Sequence, residues 1–173
     1  MRSFFSLLPI LFLLIISGFV LVYIIEGKQP NKPPSALINK PVPNVEYVNL
    51  YDNSLLTNKS FDNNFIIINF FASWCAPCKI EHPLLFRIKS DFPNVFLLGI
   101  NHKDNKNEAI KYLNDLGDPY NFIGLDNEGK LAIEFGVIGL PETFVVNAEG
   151  KIIYKHLGPI EDKIYNEIKS LLQ

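Results

Sequence analysis

Sulfur and surplus charge are what this sequence has least of. Two cysteines, one methionine and one tryptophan occur among 173 residues, so a framework of several disulfides, the usual staple of small secreted domains, is excluded. Both cysteines lie in the single run Cys75-Ala76-Pro77-Cys78, which excludes a four-thiolate zinc site as well. The formal net charge is -2 and no block of Lys and Arg stands out; a nucleic-acid partner, which needs a basic face to neutralise phosphates, finds no footprint. Disorder is not expected either. Hydrophobic residues make up 48% of the chain and charged ones 20%, enough to bury the core of one domain.

Charge is missing altogether from Ser3 to Ile25, a run long enough to cross a hydrocarbon core, which needs about 20 helical residues. A cleaved signal peptide is the alternative. Its apolar region spans only about 7 to 15 residues, whereas this run continues past Ser17-Gly18 through Phe19-Val20-Leu21-Val22-Tyr23-Ile24-Ile25. An uncleaved signal anchor over residues 1–25 is therefore expected, one transmembrane helix. Basic residues flank it on both sides, Arg2 before and Lys28, Lys32 and Lys40 after, so charge does not set its orientation. Residues 26–43 hold Pro30, Pro33, Pro34, Pro41 and Pro43 and read as an extended tether. Residues 44–173 are left for the domain.

In that domain short β-branched or aromatic runs alternate with longer amphipathic ones, the pattern of an α/β fold. Val45 to Leu50 is expected as an edge strand and Phe65 to Phe71, uninterrupted but for Asn69, as a strand buried on both faces. A helix follows from Ala76 to Phe92, bent by Pro83 inside it. Then come a strand at Val95 to Ile100, a helix at Asn107 to Leu116 stopped by Gly117, a short strand at Asn121 to Gly124 and a short helix at Gly129 to Phe135. Thr143 to Val146 and Ile152 to His156 flank Asn147-Ala148-Glu149-Gly150 and read as a hairpin. Asp162 to Leu172 closes the chain as an amphipathic helix. The order is βαβ, an intervening αβα, then ββα.

The spacing of Cys75 and Cys78 decides their chemistry. At a helix start, residues three apart share a face and reach the Cβ separation of roughly 3.5 to 4.5 Å that a disulfide requires. Cys75, at the N-terminus, gains from the unsatisfied N–H groups and the helix dipole, which favour a thiolate, and is the candidate nucleophile. Cys78, one turn in, is placed to resolve a mixed disulfide. Pro77 is tolerated in a first turn, and Trp74 precedes the pair. Three other uses compete. A purely structural disulfide would close too short a loop to constrain the unfolded chain. Zinc would find Cys75, Cys78 and His82 but no fourth ligand. Covalent haem attachment needs a His where Lys79 stands. No cofactor and no metal are expected. Further on, Pro141 in Gly136-Val137-Ile138-Gly139-Leu140-Pro141-Glu142-Thr143-Phe144 is a candidate cis proline that packs beside the cysteines.

Trp74-Cys75-Ala76-Pro77-Cys78 after a buried strand, with a later Gly-x-Pro before a hairpin, resembles the thioredoxin superfamily. Glu81-His82-Pro83, Gly99-Ile100-Asn101-His102-Lys103-Asp104 and Gly136 to Phe144 narrow the likeness. From about Asn39 onward the chain is similar to the thiol:disulfide interchange proteins of cytochrome c maturation. That resemblance implies a thioredoxin-like fold, a central mixed β-sheet flanked by helices, with an insertion at about Asn101 to Phe135 that shapes the partner groove. It implies a protein-disulfide reductase on the periplasmic side of a bacterial inner membrane, single-pass. The protein substrate would be apocytochrome c or an assembly factor, and a membrane thiol-disulfide electron donor would reload the pair. Cys75 would attack and Cys78 resolve, while Pro141 would leave the preceding backbone free for an extended client.

Glu81 and Glu142 match acidic residues near the family's site. Buried, they would suit proton transfer; the alternative is that both are solvated surface carboxylates. Asn69 stands where thioredoxin has a buried aspartate, an amide being common in the narrower family, and cannot titrate, so the acid/base burden moves toward Glu81. Phe71 stands where thioredoxin has tryptophan. His102 and His156 show no evident partners and read as surface or hydrogen-bonded core residues. Other functions stay open at this point: a general periplasmic reductase or an oxidant, since direction follows reduction potential, and a non-catalytic module that holds an apocytochrome. A peroxidase is the most distant, because it would use a lone cysteine.

Overall fold

The computed structural model describes residues 2–25, 36–58 and 64–173, in two units, Met1–Pro34 and Ser35–Gln173. The uncharged N-terminal stretch is helical from Arg2 to Ile25 (α1), with Pro9 inside. Its side chains are described for residues 8–23 and are exposed. Among the described residues no helix is long and apolar enough to cross a membrane. Residues 26–35 of the expected tether lie outside the described residues.

The domain begins earlier than residue 44. Leu37 and Ile38 pack against its core, and the amides of Asn39 and Val42 donate to the carbonyls of Ile152 and Gly150. Pro41 bridges Lys151, on a sheet edge where a missing N–H is tolerated. Glu46–Val48 (β1) then pairs with Leu55–Thr57 (β2) in a separate two-stranded antiparallel sheet. The expected edge strand forms half of a local ribbon, and its end, at Asn49 and Leu50, pairs with Gly124 and Ile123 at the edge of the central sheet; the ribbon's other strand went unread because three residues carry little period. The turn between them is built by side chains: Asn49 Oδ1 accepts from the Tyr51 amide and Asp52 Oδ1 from the Ser54 amide, turning the chain back on itself.

The central sheet follows the expected order. Ile66–Phe71 (β3) leads into Ala76–Asp91 (α2), Phe96–His102 (β4), Lys106–Leu116 (α3), Phe122–Asp126 (β5) and Lys130–Glu134 (α4). Glu142–Val146 (β6), Ile152–Leu157 (β7) and Asp162–Leu171 (α5) complete it. The strands lie in the order β5-β4-β3-β6-β7, β3 parallel to β4 and β4 to β5, β6 antiparallel to β3 and β7. Two strands run on past their expected ends, β4 to His102 and β5 to Asp126.

Every residue of β3 is buried, because its alternate side chains enter two different cores. Ile67 and Phe71 join Leu85 and Ile88 of α2 and Tyr165 and Ile168 of α5. Ile66, Ile68 and Phe70 join Leu131 and Ala132 of α4 and Phe144 of β6. One polar side chain breaks the strand's apolar run, that of Asn69. The register sets Gly99 on one side of it and Thr143 on the other. A Cβ at Gly99 would lie 2.9 Å from the Tyr120 ring, so glycine there makes room for the Tyr120 that stacks on Phe71 at 5.0 Å.

Candidate active site

Strand β3 ends against the start of α2, and the turn between them carries the two cysteines. Cys75 is the N-cap of α2, with extended backbone, and its Sγ accepts from the Cys78 amide at 3.2 Å. The two sulfurs are bonded at 2.01 Å, with 5.3 Å between the Cα atoms. Cys75 is 4% exposed and Cys78 1%, so an incoming sulfur has more room at Cys75. On opening, the helix N–H groups around Cys75 can hold a thiolate. Pro77 lies in the first turn, where its missing N–H leaves no helical bond unmade.

Below the pair, the buried face of α2 continues through Glu81 and His82. Glu81 is fully buried, against the solvated alternative. Its Oε1 accepts from Asn69 Nδ2 at 2.8 Å and its Oε2 from the Ile160 amide at 2.9 Å. Asn69 is held in turn: Nδ2 also donates to Thr143 Oγ1 at 3.0 Å, and Oδ1 accepts from the Tyr120 hydroxyl at 2.7 Å. All these partners are neutral. Burial therefore pushes the Glu81 carboxyl up to about 7, and the donations from Ile160 and Asn69 only partly oppose it. Glu81 sits one turn from Cys78 on one helix face, the spacing at which side chains are neighbours.

His82 departs from the zinc alternative. Its Nε2 lies 2.9 Å from the Gly117 carbonyl and its Nδ1 3.1 Å from the Tyr112 hydroxyl. The carbonyl can only accept, so Nε2 carries the hydrogen and Nδ1 takes the tyrosine's. Both ring nitrogens are engaged away from the sulfurs, and burial pulls the imidazole pKa down.

The peptide bond between Leu140 and Pro141 is cis, as expected, and Pro141 is buried. Its carbonyl accepts from the Gly158 amide at 2.9 Å. Glu142, also fully buried, braces the preceding loop: Oε2 accepts from the Ile138 amide at 2.9 Å, and Oε1 lies 3.0 Å from the Lys155 ammonium. Lys155 donates as well to the Gly136 carbonyl at 2.7 Å. Glu142 thus shapes the cis-proline loop.

Trp74 is the exposed ridge beside Cys75, 61% accessible, and it is tied from behind. Its indole N–H donates to the Lys103 carbonyl at 3.1 Å, Lys103 itself having a left-handed φ of 44°. The Asp104 carboxylate accepts from the Ser73 amide at 2.6 Å, the Ser73 hydroxyl at 2.7 Å, Asn101 Nδ2 at 2.9 Å and the Asn105 amide at 2.8 Å. Four donors on one side chain fasten the cysteine loop to the segment that opens α3. A depression of about 500 Å³ on one side of Trp74 is walled by Lys79, Glu108 and Tyr112. Another of about 290 Å³ is bordered by Trp74, His102 and the loop up to Leu140. Residues of the insertion line both depressions beside Trp74.

Sequence reasoning passed over Asp104, Tyr112, Tyr120, Thr143 and Lys155. Asp104 stands inside a quoted motif, yet nothing local shows that it reaches Ser73. The histidines do have partners: His102 Nδ1 lies 2.7 Å from Asp126 Oδ2 and His156 Nε2 3.3 Å from the Pro159 carbonyl.

The disulfide between a helix-capping cysteine and its neighbour one turn on opens by attack of a thiolate on one of its sulfurs, and the sheet that carries it has the thioredoxin order. The molecule is a thiol:disulfide oxidoreductase of thioredoxin-like fold. The chain belongs to the Redoxin family, whose model matches residues 37–171. Over 170 residues it is 38% identical to the thiol:disulfide interchange protein HelX of Rhodobacter capsulatus, covering 95% of this chain and 96% of that one. The thiol:disulfide interchange protein DsbE of Yersinia pestis is 34% identical, over 91% of this chain and 85% of its own. Among solved structures, the thioredoxin domain of a thiol-disulfide oxidoreductase from Bacteroides vulgatus superposes with a TM-score of 0.70 at 18% identity, over 80% of this chain and 100% of that one.

Proposed function

We propose that this protein is a membrane-anchored reductant on the periplasmic side of a bacterial inner membrane, keeping the cysteines of apocytochrome c, or of a partner in its assembly, in the thiol state. In this reading the Cys75 thiolate attacks a sulfur of the client disulfide, a mixed disulfide forms, and the other client sulfur leaves as a thiolate that takes up a proton. Cys78 then attacks Cys75 Sγ. The client departs as a dithiol, two electrons richer, and this protein keeps the disulfide. A membrane dithiol donor returns the two electrons. Glu81, whose carboxyl sits at about 7, accepts the Cys78 proton as that thiol attacks. The uncharged run from Ser3 to Ile25 is the segment assigned to the anchor.

The observation that carries the reading is the placement of Cys75, at the start of a helix beside an exposed tryptophan. The names of the relatives and the uncharged N-terminal run support it. Replacing Cys78 by Ala blocks resolution, so the client stays attached to Cys75. Recovery of a c-type apocytochrome or its assembly partner on Cys75 is the expected result. A trapped set without either would overturn the client assignment, and a reduction potential as oxidising as about -120 mV would overturn the direction.

A further inference from the structure

The smaller depression beside Trp74 contains a side chain that the exchange chemistry does not use. His102 sits at the end of β4 and lines it together with Trp74, Ile133, Ile138 and Leu140. Its Nδ1 is 2.7 Å from the carboxylate of Asp126. Asp126 is buried and fixed from the other side, accepting from the Leu131 and Ala132 amides at 2.9 and 3.1 Å. A carboxylate so held only accepts, so Nδ1 carries a ring hydrogen, and in the Nδ1–H tautomer Nε2 is an acceptor. That nitrogen has no hydrogen bond to any described residue. A buried carboxylate therefore orients one open acceptor in a depression whose rim is apolar: Ile133 is 77% exposed, Ile138 66% and Trp74 61%.

The chemistry of the occupant follows from these walls. At about 290 Å³ the space takes one large side chain. Its body must be apolar to meet the two isoleucines and the indole, and its tip must donate to Nε2. A cationic tip is disfavoured, because exposed Lys103 borders the same space. Serine and threonine leave it unfilled, and phenylalanine or leucine leaves the acceptor without a partner. Tyrosine and tryptophan meet every requirement.

We propose that His102 is a specificity residue that accepts a hydrogen bond from a tyrosine or tryptophan flanking the cysteine of the bound polypeptide. The proposal rests on the exchange reading, because the depression borders both Trp74 and the loop leading to Pro141, between which an extended client would lie.

Peptides closed by one disulfide, carrying Tyr or Phe in turn at each of the three positions flanking either cysteine, test it. Fluorescence of Trp74, the chain's only tryptophan, follows oxidation of the reduced full-length protein. At one or two positions the Tyr peptide should react about tenfold faster than its Phe counterpart, the size of one net hydrogen bond. In His102→Phe that ratio should fall to about one. Equal Tyr and Phe rates at every position, or an unchanged ratio in His102→Phe, would overturn the proposal. Failure to react with every peptide would overturn the exchange reading itself, and this assignment with it.

Discussion

Beneath α2 and beneath the cis-proline loop the molecule buries two carboxylates, and it treats them differently. Glu81 and Glu142 are both fully inaccessible to solvent. Glu81 meets only neutral donors, Asn69 and the Ile160 amide, and its carboxyl is pushed up to about 7 by burial. Glu142 meets the ammonium of Lys155 at 3.0 Å, and that ion pair holds the loop before Pro141. Burial alone does not make a proton carrier. In the first region burial raises the carboxyl pKa and no cation opposes it, whereas in the second a lysine ammonium lies beside the carboxyl group and the pair shapes the backbone.

The harshest test of this contrast is to take the cation away. Lys155→Met leaves Glu142 buried without its partner and should destabilise the oxidised protein by about 3–5 kcal/mol, measured by denaturant unfolding at pH 7. A loss below about 1 kcal/mol would mean that the two carboxylates are alike after all. Next in size is the pH dependence set by Glu81. The folded carboxyl titrates near 7 and the unfolded one at 4.5. Between those values the folded protein holds a proton that the unfolded chain has released, so stability falls as pH rises through the window and stays low above it. Glu81→Gln should abolish that slope, an effect on the order of 3 kcal/mol, seen by unfolding the disulfide form at pH 4.5 and pH 8. An unchanged slope would assign it to another group.

Two smaller predictions concern the polar partners that surround these regions. Asp104→Ala removes the acceptor of four donors and should cost about 2 kcal/mol. Because Trp74 is the only tryptophan, its emission maximum and quenching by iodide read the ridge directly; both should change, and exchange with a protein disulfide should slow more than exchange with glutathione disulfide. An unaltered spectrum would reduce Asp104 to a loop residue. Tyr120→Phe leaves Asn69 Oδ1 without its donor and should cost about 1 kcal/mol or somewhat more, lowering the melting temperature by a few degrees. Full retention of stability would show that the chain beneath Glu81 is not cooperative.

What was legible in the sequence was local. The apolar run of β3, the spacing of Cys75 and Cys78, the Pro77 in the first turn, the Gly117 that stops α3 and the proline before β6 each declare themselves within a few residues, where backbone geometry and periodicity act. The β2 strand did not, since three residues in a side-chain-built turn show no period. Nor did the domain's start, because Leu37, Ile38 and Val42 sit among prolines and are held by β7 and the hairpin turn, more than a hundred positions away.

By itself, then, the amino-acid order determined a cysteine pair at a helix start, the strand that delivers it and the proline before β6, because each depends on neighbours in the chain. Only the tertiary structure decided which carboxylate keeps a proton, which is matched by a lysine, and what holds Trp74. Those outcomes join residues 79 positions apart for Glu81 and Ile160, and 31 for Ser73 and Asp104. Strand register and helix docking bring such groups within 3 Å, and dielectric, charge and hydrogen-bond partners are properties of that assembled neighbourhood, not of the residues taken singly.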